Sequence, residues 1–374
     1  MLTQYREMLM QALKFIISGG GTGGHIFPAI AIAEELRKKH PDCEILFIGA
    51  KDRMEMEKVP RAGYQIEGLW ISGLQRSLSA KNLLFPIKLL SSLVKARKII
   101  KRFKPDVVVG VGGYASAAVL RMAIAAKIPT LIQEQNSFPG ITNKWLAPKV
   151  NTICVAFEGL DKYFPKEKIV LTGNPVRENV VDIEGKKEKG YEFFNLKNDK
   201  PTLLITGGSL GARSVNQNIL KGIKDLVDSG MQILWQTGRP FYKEADEATK
   251  KMDDVKVHEF IYEMDLAYAV ADMLVARAGA ITVSELCLVK KPAILVPLPH
   301  AAEDHQTKNA MALVNKKAAI LIPDKDAEKL LVAEVIALMG DDGRRSAIHE
   351  NLKNLGRENA AEIIADQVLK LVSR

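Results

Sequence analysis

A glycine-rich stretch near the start of the chain combines residue types and spacing that suit phosphate chemistry. Residues 17–36 read ISGGGTGGHIFPAIAIAEEL, and Gly19, Gly21 and Gly24 fit the G-x-G-x-x-G spacing of dinucleotide-binding loops. Glycines after an apolar strand permit a tight turn and a close approach of the backbone to a phosphate, and the following helix N-terminus offers N–H groups. The stretch predicts a loop that binds a phosphorylated ligand, with a ligand-free turn as the alternative.

His25 directly follows these glycines. A neutral imidazole in a ligand site can act as a general base, whereas a histidine beside a helix start can also simply satisfy local hydrogen bonds. A nicotinamide dinucleotide would require an acidic residue at the end of the second strand, but that strand ends IGAK at 48–51, and Asp42 precedes it. The sequence therefore argues against NAD and favours another ligand with phosphates.

A second loop, GGSLGARS at 207–214, repeats the arrangement in the other half of the chain. Ser209 stands where its hydroxyl and N–H can face a phosphate, and two such loops on two domains predict one diphosphate held across a cleft. Arg177, in GNPVRENV at 173–180, would supply a fixed positive charge, with a surface ion pair as the alternative.

Polar residues at other predicted strand ends would suit sugar hydroxyls. Glu134 and Asn136 follow one strand, and GVGGYAS at 110–116 ends another, with ordinary loop polarity as the alternative. In the second half, ARAGAITVSEL at 276–286 places Glu285 one turn into a helix. A carboxylate there would accept both hydroxyls of a ribose, and a favourable interaction with the helix dipole is the alternative.

The histidines and aspartates of the second half do not predict a metal site. His300 and His305 flank an AAED loop, and their spacing matches no strong metal signature. Asp324 and Asp326 formally fit the D-x-D motif of metal-dependent nucleotide-sugar enzymes, but Pro323 before them and a helical run after them favour turn and capping roles. We expect neither a metal ion nor another cofactor.

Two series of apolar segments must position these loops. Both alternate with helical patterns, which predicts parallel sheets covered on both faces, with ligands at the carboxyl ends of the strands. The sequence thus predicts an α/β fold of two Rossmann-like doubly wound domains with a cleft between them, and the charged stretch 180–200 as a linker or surface excursion. The predicted strands are 13–18, 44–49, 105–113, 128–134, 152–157, 201–208, 231–238, 256–261, 272–277 and 292–299.

Composition excludes several protein classes. The 374 residues suffice for two domains, and 47% hydrophobic with 26% charged residues is typical of a soluble globular protein. Arg6 and Glu7 interrupt the apolar start, which argues against a secretory signal, and no run reaches the roughly 18 apolar residues of a membrane span. The three cysteines, Cys43, Cys154 and Cys287, lie far apart and are expected to be buried reduced thiols.

The net charge of +9 is concentrated in one window. Residues 68–104 contain nine Lys/Arg and no Asp/Glu, and Lys81, Lys88 and Lys95 recur at a seven-residue spacing that puts them on one helix face. Leu83, Ile87, Leu90 and Val94 form one apolar stripe, and Leu84, Phe85, Leu89 and Leu93 add apolar side chains beyond it. This basic amphipathic patch favours an anionic membrane surface over nucleic acid, with an ordinary solvated helix face as the alternative.

Seven motifs together resemble those of the MurG family, the UDP-N-acetylglucosamine transferases that complete the lipid-linked disaccharide of bacterial peptidoglycan. They run in order from about Lys14 to the C-terminus: GGGTGGHIFPAIAIAEEL, GVGGYAS, EQNSFPGITNKW, GNPVRENV, TGGSLGARSVNQ, ARAGAITVSEL and HQTKNA. The resemblance implies a GT-B fold, with residues 1–175 and a C-terminal helix at about 355–374 forming an acceptor- and membrane-facing domain. Residues 176–354 would form the UDP-sugar-binding domain.

The resemblance also implies roles for individual residues. Asn136 would bind the transferred sugar, and Arg177 and Ser209 would hold the diphosphate. Ile261 would contact uracil through its backbone, and Gln306 would bind sugar hydroxyls. Further donor contacts would come from Thr22, Gly23, Gly24, Ala280, Ile281, Thr282, Val283, Ser284 and Glu285, with Glu285 on the ribose hydroxyls.

The implied activity is the inverting, metal-independent transfer of N-acetylglucosamine from UDP-N-acetylglucosamine to the 4-hydroxyl of lipid-linked muramyl-pentapeptide. Helix N-termini, Arg177 and Ser209 would oppose the negative charge that grows on the departing diphosphate. His25 is the first candidate for the general base and Glu134 the second. The protein would be peripheral, at the cytoplasmic face of the bacterial inner membrane.

Other functions stay open at the level of sequence. His305 departs from the family pattern, because many relatives have a second glutamine there, so a ligand contact by residue 305 is not implied. Another GT-B enzyme, such as a lipid glycosyltransferase or a UDP-sugar epimerase, would share the fold, and an epimerase needs no acceptor. A non-catalytic nucleotide-sugar-binding membrane protein would bind the donor without turnover, and an NAD oxidoreductase would bind NADH.

Overall fold

The computed structural model describes residues 12–72, 84–208, 211–299 and 301–372. They form two compact units. Unit 1 comprises the chain up to Pro175 and again from Asn359, and unit 2 is Val176–Glu358. The chain therefore leaves unit 1 once and returns to it for its last helix.

Unit 1 is built on a seven-stranded sheet in which every neighbouring pair is parallel. The strand order is β3-β2-β1-β4-β5-β6-β7. Apolar clusters cover both faces, as expected for a sheet with helices on each side. Its strands are β1 Lys14–Ser18, β2 Glu44–Ala50, β3 Gln65–Leu69, β4 Val107–Gly110, β5 Thr130–Glu134, β6 Thr152–Val155 and β7 Ile169–Leu171.

Helices connect these strands and pack on the two faces of the sheet. The unit 1 helices are α1 Gly23–Lys39, α2 Glu55–Arg61, α3 Phe85–Phe103, α4 Tyr114–Ala125, α5 Ile141–Leu146 and the C-terminal helix α16 Ala360–Val372. The apolar side chains of α16 join the same buried cluster as those of α1. The C-terminal helix thus buries its apolar side chains in unit 1.

Unit 2 repeats the design with a six-stranded parallel sheet of order β10-β9-β8-β11-β12-β13. Its strands are β8 Thr202–Thr206, β9 Gln232–Gln236, β10 Val255–His258, β11 Met273–Ala276, β12 Ala293–Leu295 and β13 Ile320–Leu321. Its helices are α6 Glu178–Val181, α7 Lys187–Phe193, α8 Arg213–Lys221, α9 Ile223–Asp228, α10 Arg239–Thr249, α11 Met264–Val270, α12 Ala280–Val289, α13 His305–Val314, α14 Ala327–Met339 and α15 Asp342–Lys353.

Both sheets have the strand order of a Rossmann fold, so the prediction of two doubly wound parallel-sheet domains is confirmed. In each sheet the order reverses next to the first strand, between β1 and β4 and between β8 and β11. Ligands of open α/β sheets bind outside the carboxyl ends of the strands at this switch point. The short strands β3, β7 and β13 are not among the segments predicted from sequence.

The charged stretch 180–200 is not a linker. It contains α7, and Gly190 of this helix is buried against α11, where a β-carbon would lie 2.6 Å from Val270 Cγ1 and 2.9 Å from the Leu266 carbonyl oxygen. The segment is therefore packed into unit 2 through buried Gly190 and Phe194, while most of its charged residues are exposed, as the alternative of a surface excursion predicts.

The apolar stripe predicted for α3 faces outward, and two of the apolar side chains beyond that stripe face the core. Leu89 and Leu93 pack against the buried cluster of unit 1, whereas Ile87, Leu90 and Val94 are 57%, 64% and 48% exposed. The orientation follows from contacts with the segment around β3, because the buried Ser92 hydroxyl donates to the Trp70 carbonyl oxygen at 3.1 Å. Leu84 is exposed and Phe85 is half-buried.

Candidate functional site

At the switch point of unit 1, the loops after β1 and β4 lie against each other. A β-carbon at Gly113 would be 2.8 Å from the Gly20 carbonyl oxygen, and one at Gly112 would be 2.8 Å from the His25 imidazole. Gly112 also has φ +101°, in the region that disfavours side chains. The glycines of GVGGYAS thus allow a backbone loop to lie on the imidazole.

The His25 ring is held through Nδ1. This nitrogen lies 3.1 Å from the Gly20 carbonyl oxygen and 3.3 Å from Thr22 Oγ1. A carbonyl oxygen can only accept, so the contact assigns the proton to Nδ1, and the neutral ring then has its lone pair on Nε2. The geometry suits a general base acting through Nε2.

A buried glutamate that the sequence analysis missed supports the first glycine loop. Glu55, the first residue of α2, is 1% exposed, and its carboxylate accepts the Ala50 N–H and the Gly21 N–H, each at 2.9 Å. A β-carbon at Gly20 would overlap this carboxylate, and one at Gly49 would lie 2.5 Å from Glu55 Cγ. No sequence pattern marked it, because Glu55 meets the loop only through the fold.

This glutamate changes the interpretation of the first glycine loop. The Gly21 N–H is committed to a carboxylate, and a negative charge lies directly against the loop, which disfavours a phosphate there. Phosphate binding by both glycine loops stays a prediction, and this contact argues against it for the Gly19–Gly21 turn. What remains of the predicted phosphate loop is the N-terminus of α1. Thr22 is its N-cap, and the first turn contains half-buried Gly23 and Gly24 and no acidic residue.

Glu134 at the end of β5 organises the loop that follows it. Oε1 accepts from the backbone N–H of Asn136 at 3.0 Å and from its Nδ2 at 3.1 Å. Oε2 accepts from the Gly140 N–H at 3.1 Å and from Asn143 Nδ2 at 2.8 Å. The buried carboxylate is thus occupied by four donors, an arrangement that favours a positioning role over proton transfer.

A buried amide network ties the last segment of unit 1 to β5. Gln133 Nε2 donates to Asn174 Oδ1 at 2.9 Å, and Asn174 Nδ2 donates to the Gln135 carbonyl oxygen at 2.9 Å. Asn174 belongs to the GNPVRENV motif, two residues before unit 2 begins at Val176. The network fixes the point at which the chain leaves unit 1, three residues before Arg177.

At the switch point of unit 2, an arginine joins three loops. Arg277 is buried, and its Nη1 donates to Asp324 Oδ1 at 2.5 Å, while its Nη2 donates to the Ser214 hydroxyl at 2.8 Å. That hydroxyl donates in turn to Asp324 Oδ1 at 2.6 Å. The turn predicted at Asp324–Asp326 is present as a short 3-10 helix, and Asp326 is the N-cap residue of α14, although without a side-chain cap hydrogen bond. The Asp324 side chain pairs with Arg277, and the network joins the end of β11 to the start of α8.

Glu285, near the middle of α12, has a perturbed carboxyl group. Burial raises its pKa to about 6, whereas the Tyr268 hydroxyl, which donates to Oε2 at 2.8 Å, and the positive charge of Arg177 oppose that rise. Burial and the neighbouring carboxylate also raise the pKa of Tyr268 well above its usual value. The structure thus brings Arg177 and Glu285 within electrostatic reach, as one ligand site requires.

The remaining predicted residues of unit 2 lie at the same carboxyl edge. Ile261 follows β10, and its N–H donates to Gln236 Oε1 at 2.9 Å. Gln306 Oε1 accepts the Leu298 N–H at 2.8 Å, which braces the loop after β12. Ala280, Ile281, Thr282, Val283 and Ser284 form the first turns of α12, and Ser209 and Lys81 lie outside the described residues.

Comparisons with known proteins agree with this architecture. The model of the glycosyltransferase family 28 N-terminal domain matches residues 15–155, and that of the glycosyltransferase family 28 C-terminal domain matches residues 202–370. The solved structure of MurG from Acinetobacter baumannii superimposes with a TM-score of 0.78 and 26% sequence identity, covering 96% of this chain and 99% of that chain. The expected GT-B fold is thereby confirmed.

Two curated relatives share the name UDP-N-acetylglucosamine--N-acetylmuramyl-(pentapeptide) pyrophosphoryl-undecaprenol N-acetylglucosamine transferase. The protein of Flavobacterium psychrophilum is 52% identical over 97% of this chain and 99% of its own length. That of Parabacteroides distasonis is 50% identical over 98% of this chain and 100% of its own length. The similarity therefore extends across both units.

We predict that Glu134→Gln loosens the 136–143 loop, because an amide can accept on one oxygen only and leaves buried donors unsatisfied. The free energy of unfolding of unit 1 should fall by about 1–3 kcal/mol, the typical cost of an orphaned buried donor. Urea denaturation measures this fall, and hydrogen exchange at the Gly140 amide should become faster. Glu167→Gln, at an exposed position, is the matched control. Unchanged exchange at Gly140 would contradict the prediction.

Proposed function

This chain belongs to glycosyltransferase family 28 and, within it, to the MurG family, and on that premise we propose how its residues perform the family reaction. The enzyme transfers N-acetylglucosamine from UDP-N-acetylglucosamine to the 4-hydroxyl of a lipid-linked muramyl-pentapeptide, a step of peptidoglycan synthesis. The observation that carries this function is the identity of about one residue in two to transferases of that name over nearly the whole chain.

We assign the donor to unit 2. The Glu285 carboxylate would accept the ribose hydroxyls, and the backbone of Ile261 would contact uracil through its carbonyl oxygen, since its N–H already donates to Gln236. Arg177 and Ser209 would hold the diphosphate, and Gln306 would bind sugar hydroxyls. The N-terminus of α12 points N–H groups toward this ligand, so that growing charge on the leaving group is met by fixed dipoles and a cation.

We assign proton abstraction to His25. The 4-hydroxyl of the acceptor loses its proton to Nε2 while its oxygen bonds to the anomeric carbon, and the bond from that carbon to the diphosphate oxygen breaks with its electron pair on UDP. The support is the contact of Nδ1 with the Gly20 carbonyl oxygen, which leaves the basic lone pair on Nε2. Glu134 would hold Asn136 against the transferred sugar instead of acting as a second base.

We further propose that α3 attaches the enzyme to an anionic membrane, where the lipid-linked acceptor resides. Ile87, Leu90 and Val94 form an exposed apolar stripe. Lys88 and Lys95 flank it, and their ammonium groups donate to Ser72 Oγ at 3.0 Å and to the Gly68 carbonyl oxygen at 2.8 Å. Among the described residues, no helix is both long and apolar enough to cross a bilayer. An apolar stripe with basic flanks fits interfacial binding.

The function is tested by supplying UDP-N-acetylglucosamine and a short-chain lipid-linked muramyl-pentapeptide to the purified protein and measuring disaccharide. His25→Ala should lower kcat by about 100- to 10,000-fold, the usual contribution of one general base. His40→Ala, an exposed histidine at the end of α1, should leave kcat unchanged. Absence of product with folded wild-type protein would overturn the function, and near-native turnover of His25→Ala would overturn the base alone. Consumption of donor without acceptor would indicate an epimerase.

Donor affinity should fall as the pH drops through about 6, because protonation removes the acceptor capacity of Glu285. With a folded pKa near 6, about one tenth of the carboxyl groups is ionised at pH 5, so the Kd for UDP-N-acetylglucosamine should be about tenfold higher at pH 5 than at pH 8. Calorimetry with the intact donor is preferable to UDP, whose terminal phosphate titrates near the same pH.

Two variants check the origin of this pH dependence. Glu285→Gln should raise the Kd at pH 8 and abolish the change between pH 5 and pH 8. Tyr268→Phe removes the hydrogen bond that favours the carboxylate and should shift the midpoint upward. A pH profile that Glu285→Gln leaves intact would assign the titration to another group.

Vesicle sedimentation tests the membrane surface. The double variant Ile87→Gln, Leu90→Gln should bind anionic vesicles at least tenfold more weakly, because burial of one such side chain contributes about 1.5–3 kcal/mol. Leu330→Gln, on α14 of unit 2 and 51% exposed, is the matched control and should bind like the wild type. Equal binding by all three proteins would contradict the assignment of α3.

A further inference from the structure

We propose that Glu55 is a positioning residue for His25 and acts on it through a single peptide group. The peptide that joins Gly20 to Gly21 carries a hydrogen bond at each end. Its N–H, on Gly21, donates to Glu55 Oε2 at 2.9 Å, and its C=O, on Gly20, lies 3.1 Å from His25 Nδ1. Carboxylate, peptide and imidazole thus form one line of hydrogen bonds. The inference rests on the proposed role of His25 as the base.

The two hydrogen bonds polarise the Gly20–Gly21 peptide in the same direction. A carboxylate that accepts the N–H of a peptide draws positive charge to that end and increases the negative charge on its carbonyl oxygen. Consecutive hydrogen bonds of this kind strengthen one another by roughly 10–30% each. The Gly20 carbonyl oxygen therefore becomes a better acceptor for the Nδ1 proton. It favours the tautomer with a lone pair on Nε2 and stabilises the imidazolium that forms when Nε2 takes a proton.

The surroundings of Glu55 fit this role. The carboxylate is buried, and its second oxygen is fixed by the Ala50 N–H at the end of β2, so it cannot turn away from Gly21. Gly20 and Gly49 leave the space that it fills, and a β-carbon at either position would collide with it. On the far side, Gly112 leaves room for the imidazole, because a β-carbon there would lie 2.8 Å from the ring.

A merely structural role for Glu55 predicts different results from the proposed one. If Glu55 only braces the glycine loop, its loss should damage the site equally whether or not His25 is present. If it acts through His25, its loss should have no further effect once the imidazole is gone. The tautomer of His25 in the free enzyme gives a second readout, which requires no turnover and so holds even if His25 is not the base.

The test is a double-mutant cycle with Glu55→Gln and His25→Ala. Glu55→Gln preserves the size of the side chain and removes its charge, and it should lower kcat by about 10- to 100-fold, less than the loss of the base itself. The double variant should be as active as His25→Ala alone. The Kd for the donor, a ligand assigned to unit 2, should not change. A loss by Glu55→Gln of the same factor in both backgrounds would overturn the proposal.

Nitrogen-15 spectra of histidine-labelled protein measure the tautomer directly, with the His25 signals assigned by their loss in His25→Ala. The wild type should have its proton on Nδ1, and Glu55→Gln should produce a mixture of tautomers. Glu55→Asp retains the charge but shortens the reach, and it should shift the tautomer in the same direction if the glutamine variant fails to fold. An unchanged Nδ1–H tautomer in either folded variant would also overturn the proposal.

Discussion

The loops of unit 1 depend on one constraint: backbone N–H groups released where parallel strands end must find acceptors away from water. Orphaned buried donors are costly, so nearly all of them are paired in folded proteins. Two buried glutamates meet this need. Glu55 accepts from the ends of the first glycine loop and β2, and Glu134 accepts from the loop that follows β5. Each carboxylate converts a flexible strand end into a fixed one.

The same constraint separates the chemistry of the two units. Their sheets have equivalent strand orders, but the Glu55 carboxylate lies against the loop at the switch point of unit 1, whereas the Arg277–Asp324 ion pair joins the loops at that of unit 2. A negative charge disfavours phosphate and favours a positively charged imidazole, and a site beside Arg177 favours the reverse. The proposed roles, proton abstraction in unit 1 and diphosphate binding in unit 2, thus rest on one topology. The chemistry is set by the loops and not by the fold.

Local patterns in the sequence were sufficient for ten of the thirteen strands in the described residues and for the glycine loops, because each of these depends on neighbours in the chain. Most of the proposed donor residues were instead implied by the family resemblance. Glu55 was not predicted, because its partners, Gly21 and Ala50, are brought to it by two strands and their connections. The orientation of α3 could not be predicted for a similar reason. Both of its stripes are apolar, and which one is buried depends on long-range contacts, among them those of Lys88, Ser92 and Lys95 with the segment 68–72.

The return of the chain to unit 1 has a consequence for the proposed base. Helix α16 packs on α1, and Ile364 and Val368 share a buried cluster with Ile26. Ile26 is the residue next to His25, so this buried cluster includes the turn of α1 that carries the imidazole. At the other end of α1, Lys39 pairs with Glu362 at 3.1 Å and with Asp366 at 2.9 Å. Exposed pairs of this kind contribute little, so the buried contact carries most of the attachment. The last helix of the chain therefore packs on the helix that carries His25, while the Gly20 carbonyl oxygen contacts the imidazole from the loop side.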